Sequence, residues 1–175
     1  VEEYFGRPVS PYGYHKKIAE DLCQSYSEKF GLNISIIRLF SVYGNGLKKQ
    51  LLWDACQKIL DSSDEAVFWG TGKETRDFIH ISDVLRLVDM LLKKDEKFYI
   101  INGGTGVKHT IKDVVEMIRN LVNPNINIKF NNQANVGNPI YYWADTHKLE
   151  KNGFKADTNL KQEIINYVEW IKGLD

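Results

Sequence analysis

The feature that most constrains this chain is the alternation of amphipathic helical stretches with short β-branched runs, which begins near its first residues. Ser10 followed by Pro11 is an N-cap and first-turn signal, and Ile18, Leu22, Tyr26 and Phe30 then recur four apart until Gly31 supplies a stop. The spacing predicts a helix over 11–30. The run Asn33 to Phe40 is apolar and β-branched enough for a buried strand, and Tyr43-Gly44-Asn45-Gly46 closes it as a loop. Helix followed directly by strand points to an α/β layer.

The alternation continues to the end of the chain. Residues 48–62 predict a helix through Leu51, Leu52, Ala55 and Ile59, and 65–80 reads as two strand-like pieces, AVFW and DFIHI, around Gly70-Thr71-Gly72, as a hairpin or a short extended excursion. Ser82 is expected to cap a helix carrying Val84, Leu85, Val88, Leu91 and Leu92, and Phe98–Ile101 to form a strand leading into Gly103-Gly104-Thr105-Gly106. Thr110 opens a helix with Ile111, Val114, Val115, Ile118 and Leu121 on its apolar face. A strand at Ile126–Phe130, a polar loop at 131–139, a short strand at Tyr141–Ala144 and a closing helix over about 158–172 complete the reading. No repeat, linker or low-complexity tract divides the chain.

Composition narrows the classes of partner. With 175 residues, 43% of them hydrophobic, one well-buried core is expected. The 23 Lys and Arg cancel the 23 Asp and Glu, so no overall field gathers nucleic acid or an anionic membrane. Cys23 and Cys56 sit in apolar helical patterns and the four histidines lack ligand-like spacing, which argues against a disulfide scaffold and a metal site. The stretch VEEYFGRPVSPYGYHKK holds no apolar segment suited to a signal peptide, and no run approaches the roughly 18 apolar residues of a spanning helix. A soluble, cytoplasmic protein is expected.

Tyr12 and Lys16 lie four apart at the start of the first helix, hence on one face. An ammonium near a phenol favours the phenolate, so the pair can make a base; Tyr-x-x-x-Lys is also frequent by chance as an ordinary exposed pair. The joint pattern is more specific. SPYGYHKKIAE, then RLFSVYG, GTGKETRDFIHISDV, NGGTG and ADTHKLEKNGFKADTNL with a closing VEWI resembles the extended short-chain dehydrogenase/reductase family, nearest to the NAD-dependent nucleotide-sugar epimerases and dehydratases of the UDP-glucose 4-epimerase kind.

The resemblance implies roles for particular residues. Tyr12 becomes the catalytic acid/base of a sugar hydroxyl, and Lys16 holds the nicotinamide ribose and depresses the Tyr12 pKa. Tyr14 and His15 would dress the rim, and Glu20 matches an acidic residue one turn on, unless it is an exposed helical charge. Arg76 matches the arginine that grips the nucleotide diphosphate; the competing view makes Arg76 and Asp77 a surface ion pair. Phe68 and Trp69 stand where relatives line the nucleotide base, with a core role open to one of them. Ser41 replaces the usual Asn after the RLF strand, so a sugar or phosphate contact is changed. Ala134–Asn138 lacks the second diphosphate-clamping arginine, a place that Lys48 or Lys49 could take if they are not a solvated pair. Gly103–Gly106 is not a dinucleotide loop, because His109 occupies the last glycine position of that fingerprint; it reads as a structural turn, with Asp145 and Thr146 as caps for a helix at 147–151.

The family's glycine-rich cofactor loop and its upstream catalytic Ser or Thr have no counterpart in this sequence. The resemblance therefore implies an α/β fold: the C-terminal portion of a doubly wound Rossmann-like domain, with 1–46 as its remnant, plus a small mixed α/β substrate-binding domain at 47–175 with strand exchange back to the first part. It further implies NAD or NADP in the full-length enzyme, a nucleoside-diphosphate sugar as partner, a homodimer formed through the first helix, and no activity from this chain alone. Epimerisation through a keto-sugar leads. A keto-sugar reductase or a 4,6-dehydratase would use the same Tyr and Lys, and a non-catalytic nucleotide-sugar binding or assembly module is the rival of another class.

Overall fold

A computed structural model of the chain describes residues 8, 10–133 and 139–174. The element order is α1 (Pro11–Phe30), β1 (Ile34–Leu39), β2 (Ser41–Tyr43), α2 (Gln50–Leu60), β3 (Glu65–Phe68), β4 (Thr75–Arg76), β5 (Phe78–His80), α3 (Ile81–Leu92), β6 (Phe98–Gly103), β7 (His109–Thr110), α4 (Ile111–Val122), β8 (Asn127–Phe130), α5 (His147–Lys151) and α6 (Leu160–Lys172). The mixed α/β class expected from the alternation is what forms.

The ends of α1 follow from its sequence. The Ser10 hydroxyl accepts from the Gly13 amide at 3.2 Å, Pro11 fills the first turn, and Gly31 at φ 69° ends the helix in the left-handed region that a Cβ would disfavour. Thr110 caps α4 in the same way, accepting from Asp113 N at 3.0 Å. The cap of α3 is His80, not Ser82: its Nδ1 accepts from Ser82 N, because β5 runs straight into the helix two residues earlier than the Ser signal suggests.

Strand pairing is mostly parallel and non-local. β1 pairs with β6, Ile34 opposite Phe98 through Leu39 opposite Gly103; β2 pairs with β5, Ser41 opposite Phe78; β3 pairs with β8, Ala66 opposite Ile128. Among the described residues, β4 and β7 are the antiparallel pair, with Arg76 opposite His109. The hairpin reading of 65–80 is thus corrected to the extended excursion: β3 and β5 turn away from each other and find partners elsewhere. Tyr141–Ala144 is likewise not a strand, and contributes one bridge from Tyr141 to Thr75.

Two hydrophobic clusters result. One is built from α2, α4 and α6 over β3 and β8, with Ile59, Val114, Val115, Ile118 and Ile164 fully buried. The other joins Leu87 and Leu91 of α3, Tyr99 and Ile101 of β6, and Leu149 and Phe154 around α5. The chain thus returns at 98–103 to the layer it started at 34–39. The segment 134–138 that lacks the second arginine lies outside the described residues. No helix among the described residues is long and apolar enough to cross a membrane.

Burial pushes the Cys56 thiol up to about 12, and its side chain is wholly inaccessible, whereas Cys23 on α1 is partly exposed. Native iodoacetamide labelling followed by peptide mass analysis is expected to modify Cys23 and leave Cys56 untouched. Rapid modification of Cys56 at neutral pH would contradict this packing.

Candidate active site

Phe40 and Ser41 mark a fork. The Phe40 amide donates to Gly103 O at 3.2 Å and the next amide, of Ser41, donates to Asp77 O at 2.9 Å, so the chain leaves one ladder and enters another between adjacent residues. Beside the fork opens a cavity of about 410 Å³, lined among others by Ser41, Tyr43, Lys49, Gln50, Arg76 and Phe78. Ser41 and Arg76, singled out separately in the sequence, meet here.

Arg76 is the cation of this cavity. Its Nη1 donates to the Thr75 carbonyl at 2.8 Å, and among the described residues no carboxylate pairs with it. Burial lowers its pKa, as expected of a guanidinium removed from water, while Glu74 acts the other way. The Glu74 carboxylate is turned into its own bend, accepting from Thr71 N at 2.9 Å. A half-buried guanidinium with no carboxylate in salt-bridge contact among the described residues is suited to receive an anion.

The start of α2 faces the same space. Lys49 is the N-cap residue and its side chain caps nothing, so early amides of the helix lack a side-chain acceptor. Gln50 follows at φ 67°, a left-handed conformation rare outside glycine. Of the two lysines weighed as a second cation, Lys49 lines the cavity; Lys48 lies over the Trp53 ring, 5.8 Å from its centroid. Burial raises the Tyr43 hydroxyl well above the ordinary phenol range and pushes Tyr167 up to about 12, so both lining phenols stay neutral.

Tyr12 is 70% exposed, and Lys16 Nζ lies 5.4 Å from its ring centroid, one helical turn away. Glu20 is not a free helical charge. It receives Arg38 Nε at 2.8 Å and Nη2 at 2.7 Å, tying α1 to β1. Tyr142, absent from the motif reading, links the two halves of the site: its ring stacks on Phe40 at 4.4 Å, and its hydroxyl, raised first by burial, is raised further by Tyr12 and lowered by Arg76. The sequence carried no periodicity or cap to single it out.

Two expectations need correction. Phe68 does not line the cavity: it is 6% exposed, packed on Phe130 at 6.0 Å in the core. Strand alternation is the reason, since Ala66 and Phe68 point inward from β3 and leave Trp69, 63% exposed, as the aromatic beyond. Nor do Arg76 and Asp77 form a surface ion pair. Asp77 is fully buried and its carboxylate accepts from Thr105 N at 2.8 Å, Thr105 Oγ1 at 2.6 Å, Gly106 N at 2.8 Å and Ala144 N at 3.1 Å. The glycine-rich turn is structural, as read, and its Thr105 and Gly106 amides are committed to Asp77. At α5, Asp145 accepts from His147 N at 3.1 Å, whereas Thr146 bonds Glu150 instead of a helix amide.

A family profile described as the NAD dependent epimerase/dehydratase family matches residues 1–104. The chain belongs to that family. An uncharacterized UDP-glucose epimerase of Bacillus subtilis is 28% identical over 95% of the chain and 53% of its own length, and a UDP-glucuronate 4-epimerase of Thermodesulfobacterium geofontis is 29% identical over 94% and 54%. The chain spans about half the length of these curated relatives. The UDP-glucuronic acid 4-epimerase of Bacillus cereus, solved in complex with UDP-glucuronic acid and NAD, superposes with a TM-score of 0.89 at 26% identity, over 100% of this chain and 56% of that one. MoeE5 in complex with UDP-glucose and NAD gives 0.88 at 28% identity over 99% and 60%. This member of the family carries the Tyr-Lys pair, the arginine and the α2 start on one folded frame.

Gln50→Gly relieves the left-handed strain at the start of α2 and is expected to raise the melting temperature by about 2–4 °C. A fall in melting temperature on this substitution, measured by calorimetry, would contradict the backbone geometry at Gln50.

Proposed function

We propose that this chain supplies the nucleotide-sugar site and the catalytic acid/base of an NAD(P)-dependent epimerase acting on a nucleoside-diphosphate sugar. The observation that carries it is Arg76, a half-buried guanidinium without an acid partner among the described residues, facing the uncapped start of α2 across a cavity that Ser41 also lines. A diphosphate fits between them: its oxygens take the Arg76 donors on one side and amides of the α2 start on the other, with Lys49 adding charge. Trp69, exposed beyond β3, offers a face for the base in place of the buried Phe68.

Tyr12 and Lys16 stand exposed at the start of α1, open to a nicotinamide ribose and to the sugar together. The Thr105 and Gly106 amides of the glycine turn are taken by Asp77 and are not offered to dinucleotide phosphates, which leaves Tyr12 and Lys16 as the exposed residues of this chain suited to touch that cofactor. When bound, NAD(P) accepts and returns the hydride of one sugar carbon. Tyr12 takes the proton of the hydroxyl on that carbon as it becomes a ketone. After the keto-sugar turns over in the site, the same Tyr12 would return the proton to the hydroxyl oxygen. Lys16 keeps a positive charge beside Tyr12 while it bears the negative one, and Tyr142 separates this chemistry from the diphosphate end.

A second copy of the chain is the proposed partner. Tyr14, Ile18, Leu22, Tyr26 and Phe30 form an exposed apolar stripe on α1, opposite the face that Glu20 and Ser27 tie down. Ile18→Glu with Leu22→Glu is expected to convert a dimer to a monomer by light scattering; an unaltered mass in solution would dismiss the stripe as an interface.

Arg76→Ala is expected to weaken UDP binding to the chain by about 10–100-fold in titration calorimetry. With the chain joined to a dinucleotide-binding half, Tyr12→Phe should cut turnover by about 10²–10⁴-fold and leave UDP affinity within twofold. Full turnover in Tyr12→Phe would remove Tyr12 from the mechanism.

A further inference from the structure

The fully buried Asp77 is adjacent in sequence to Arg76 and Phe78, both of which line the cavity. Its main-chain carbonyl accepts from Ser41 N at 2.9 Å, another lining residue. Its carboxylate reaches the other way, to Thr105 and Gly106 on the glycine turn and to Ala144, two residues beyond Tyr142. One residue therefore fastens three separate segments: the strand of Ser41, the turn at 103–106 and the segment that carries Tyr142. Both oxygens are used as acceptors, and among the described residues no cation pairs with them.

Such a group is an expensive way to obtain stability, since a buried charge needs every acceptor satisfied and an apolar replacement is often as stable. What it does provide is position. The carboxylate fixes the directions of three backbone amides at once, and a shift of any one of them breaks a charge-assisted bond. The turn is shaped to admit it: a Cβ on Gly104 would come 2.7 Å from Asp77 Oδ2 and 2.6 Å from the Ala144 Cβ. Gly104 is thus required for close approach of the turn to Asp77, which gives the Gly-Gly-Thr-Gly run a ligand inside the protein.

We infer that Asp77 is a positioning residue for the nucleotide-sugar cavity, setting the aim of Arg76 and the placement of Tyr142 through its clasp on Thr105, Gly106 and Ala144; this rests on the cavity being a nucleotide site. Among the described residues little else aims Arg76, whose guanidinium donates to the carbonyl of its own neighbour Thr75. Asp77→Asn keeps the volume and turns one acceptor into a donor facing amide donors, so the clasp loosens without creating a hole.

The test is UDP binding to the chain by titration calorimetry, well below the melting temperature of each variant. Asp77→Asn is expected to weaken UDP by about tenfold or more, and Thr105→Val, which deletes one hydroxyl donor at nearly constant shape, by about threefold or more, with Thr105→Ser restoring the original affinity. In an Arg76→Ala background, Asp77→Asn should cost less than about twofold further, because there is no longer a guanidinium to aim. A purely structural Asp77 would lower the melting temperature and leave UDP affinity unchanged. If Asp77→Asn does not fold, Thr105→Val and Thr105→Ser decide. UDP affinities within twofold of the unaltered chain for both Asp77→Asn and Thr105→Val, or for Thr105→Val alone in that case, overturn the inference while the cavity reading stands. An unaltered chain that fails to bind UDP even at about 10 mM, where specific recognition is no longer expected, overturns the cavity reading and this inference with it.

Discussion

The fold and the site both depend on the fork at Phe40 and Ser41. Two successive amides donate to carbonyls 26 residues apart in sequence, Phe40 to Gly103 and Ser41 to Asp77, so the first ladder and the second diverge at one peptide. The divergence opens the cavity, and the buried Asp77 carboxylate keeps it from opening further by holding the 103–106 turn and Ala144 against the second ladder. Neither bond is a large contributor alone, since a typical hydrogen bond nets about 1 kcal/mol. Their weight comes from location. They lie where the β1–β6 ladder ends and the β2–β5 ladder begins, so they hold the two together at the point of divergence.

The division of labour between the two hydrophobic clusters follows from the same fork. β1 and β6, with α3 and α5, form the layer on which α1 rests through Glu20–Arg38 and through Ser27, whose hydroxyl lies 2.8 Å from Lys97 O. The larger cluster over β3 and β8 carries α2, whose start faces the cavity. Tyr12 and Lys16 are fixed to the first and the α2 amides to the second, with Arg76 and Tyr142 at the seam. A site assembled across a seam can recognise a long ligand with chemically different ends, such as a sugar joined through a diphosphate to a base.

Much of the local structure was legible because its causes are local. Ser10, Pro11 and Gly31 bound α1 by capping physics that needs no tertiary partner, and the apolar period of α4 survives as the buried row Val114, Val115 and Ile118. The hairpin at 65–80 failed for the opposite reason: β3 pairs with β8, more than 55 residues on, and nothing local to the turn at Gly70–Gly72 encodes that. Phe68 could have been placed from alternation, since Ala66 and Phe68 share one face of β3. Arg76 and Ser41 were legible as motif residues but their meeting was not, nor was Tyr142, which acquires a role from stacking on Phe40. The glycine turn was readable as a turn, while its carboxylate ligand 28 residues upstream was not.

The most direct test of the account is a ¹H–¹⁵N NMR titration of the chain with UDP. The account predicts shifts concentrated at the Gln50 and Leu51 amides, the Arg76 Nε–H and the Trp69 indole N–H. Binding without shifts at Arg76 and the α2 start, or shifts confined to the surface of α6 or α3, would contradict it.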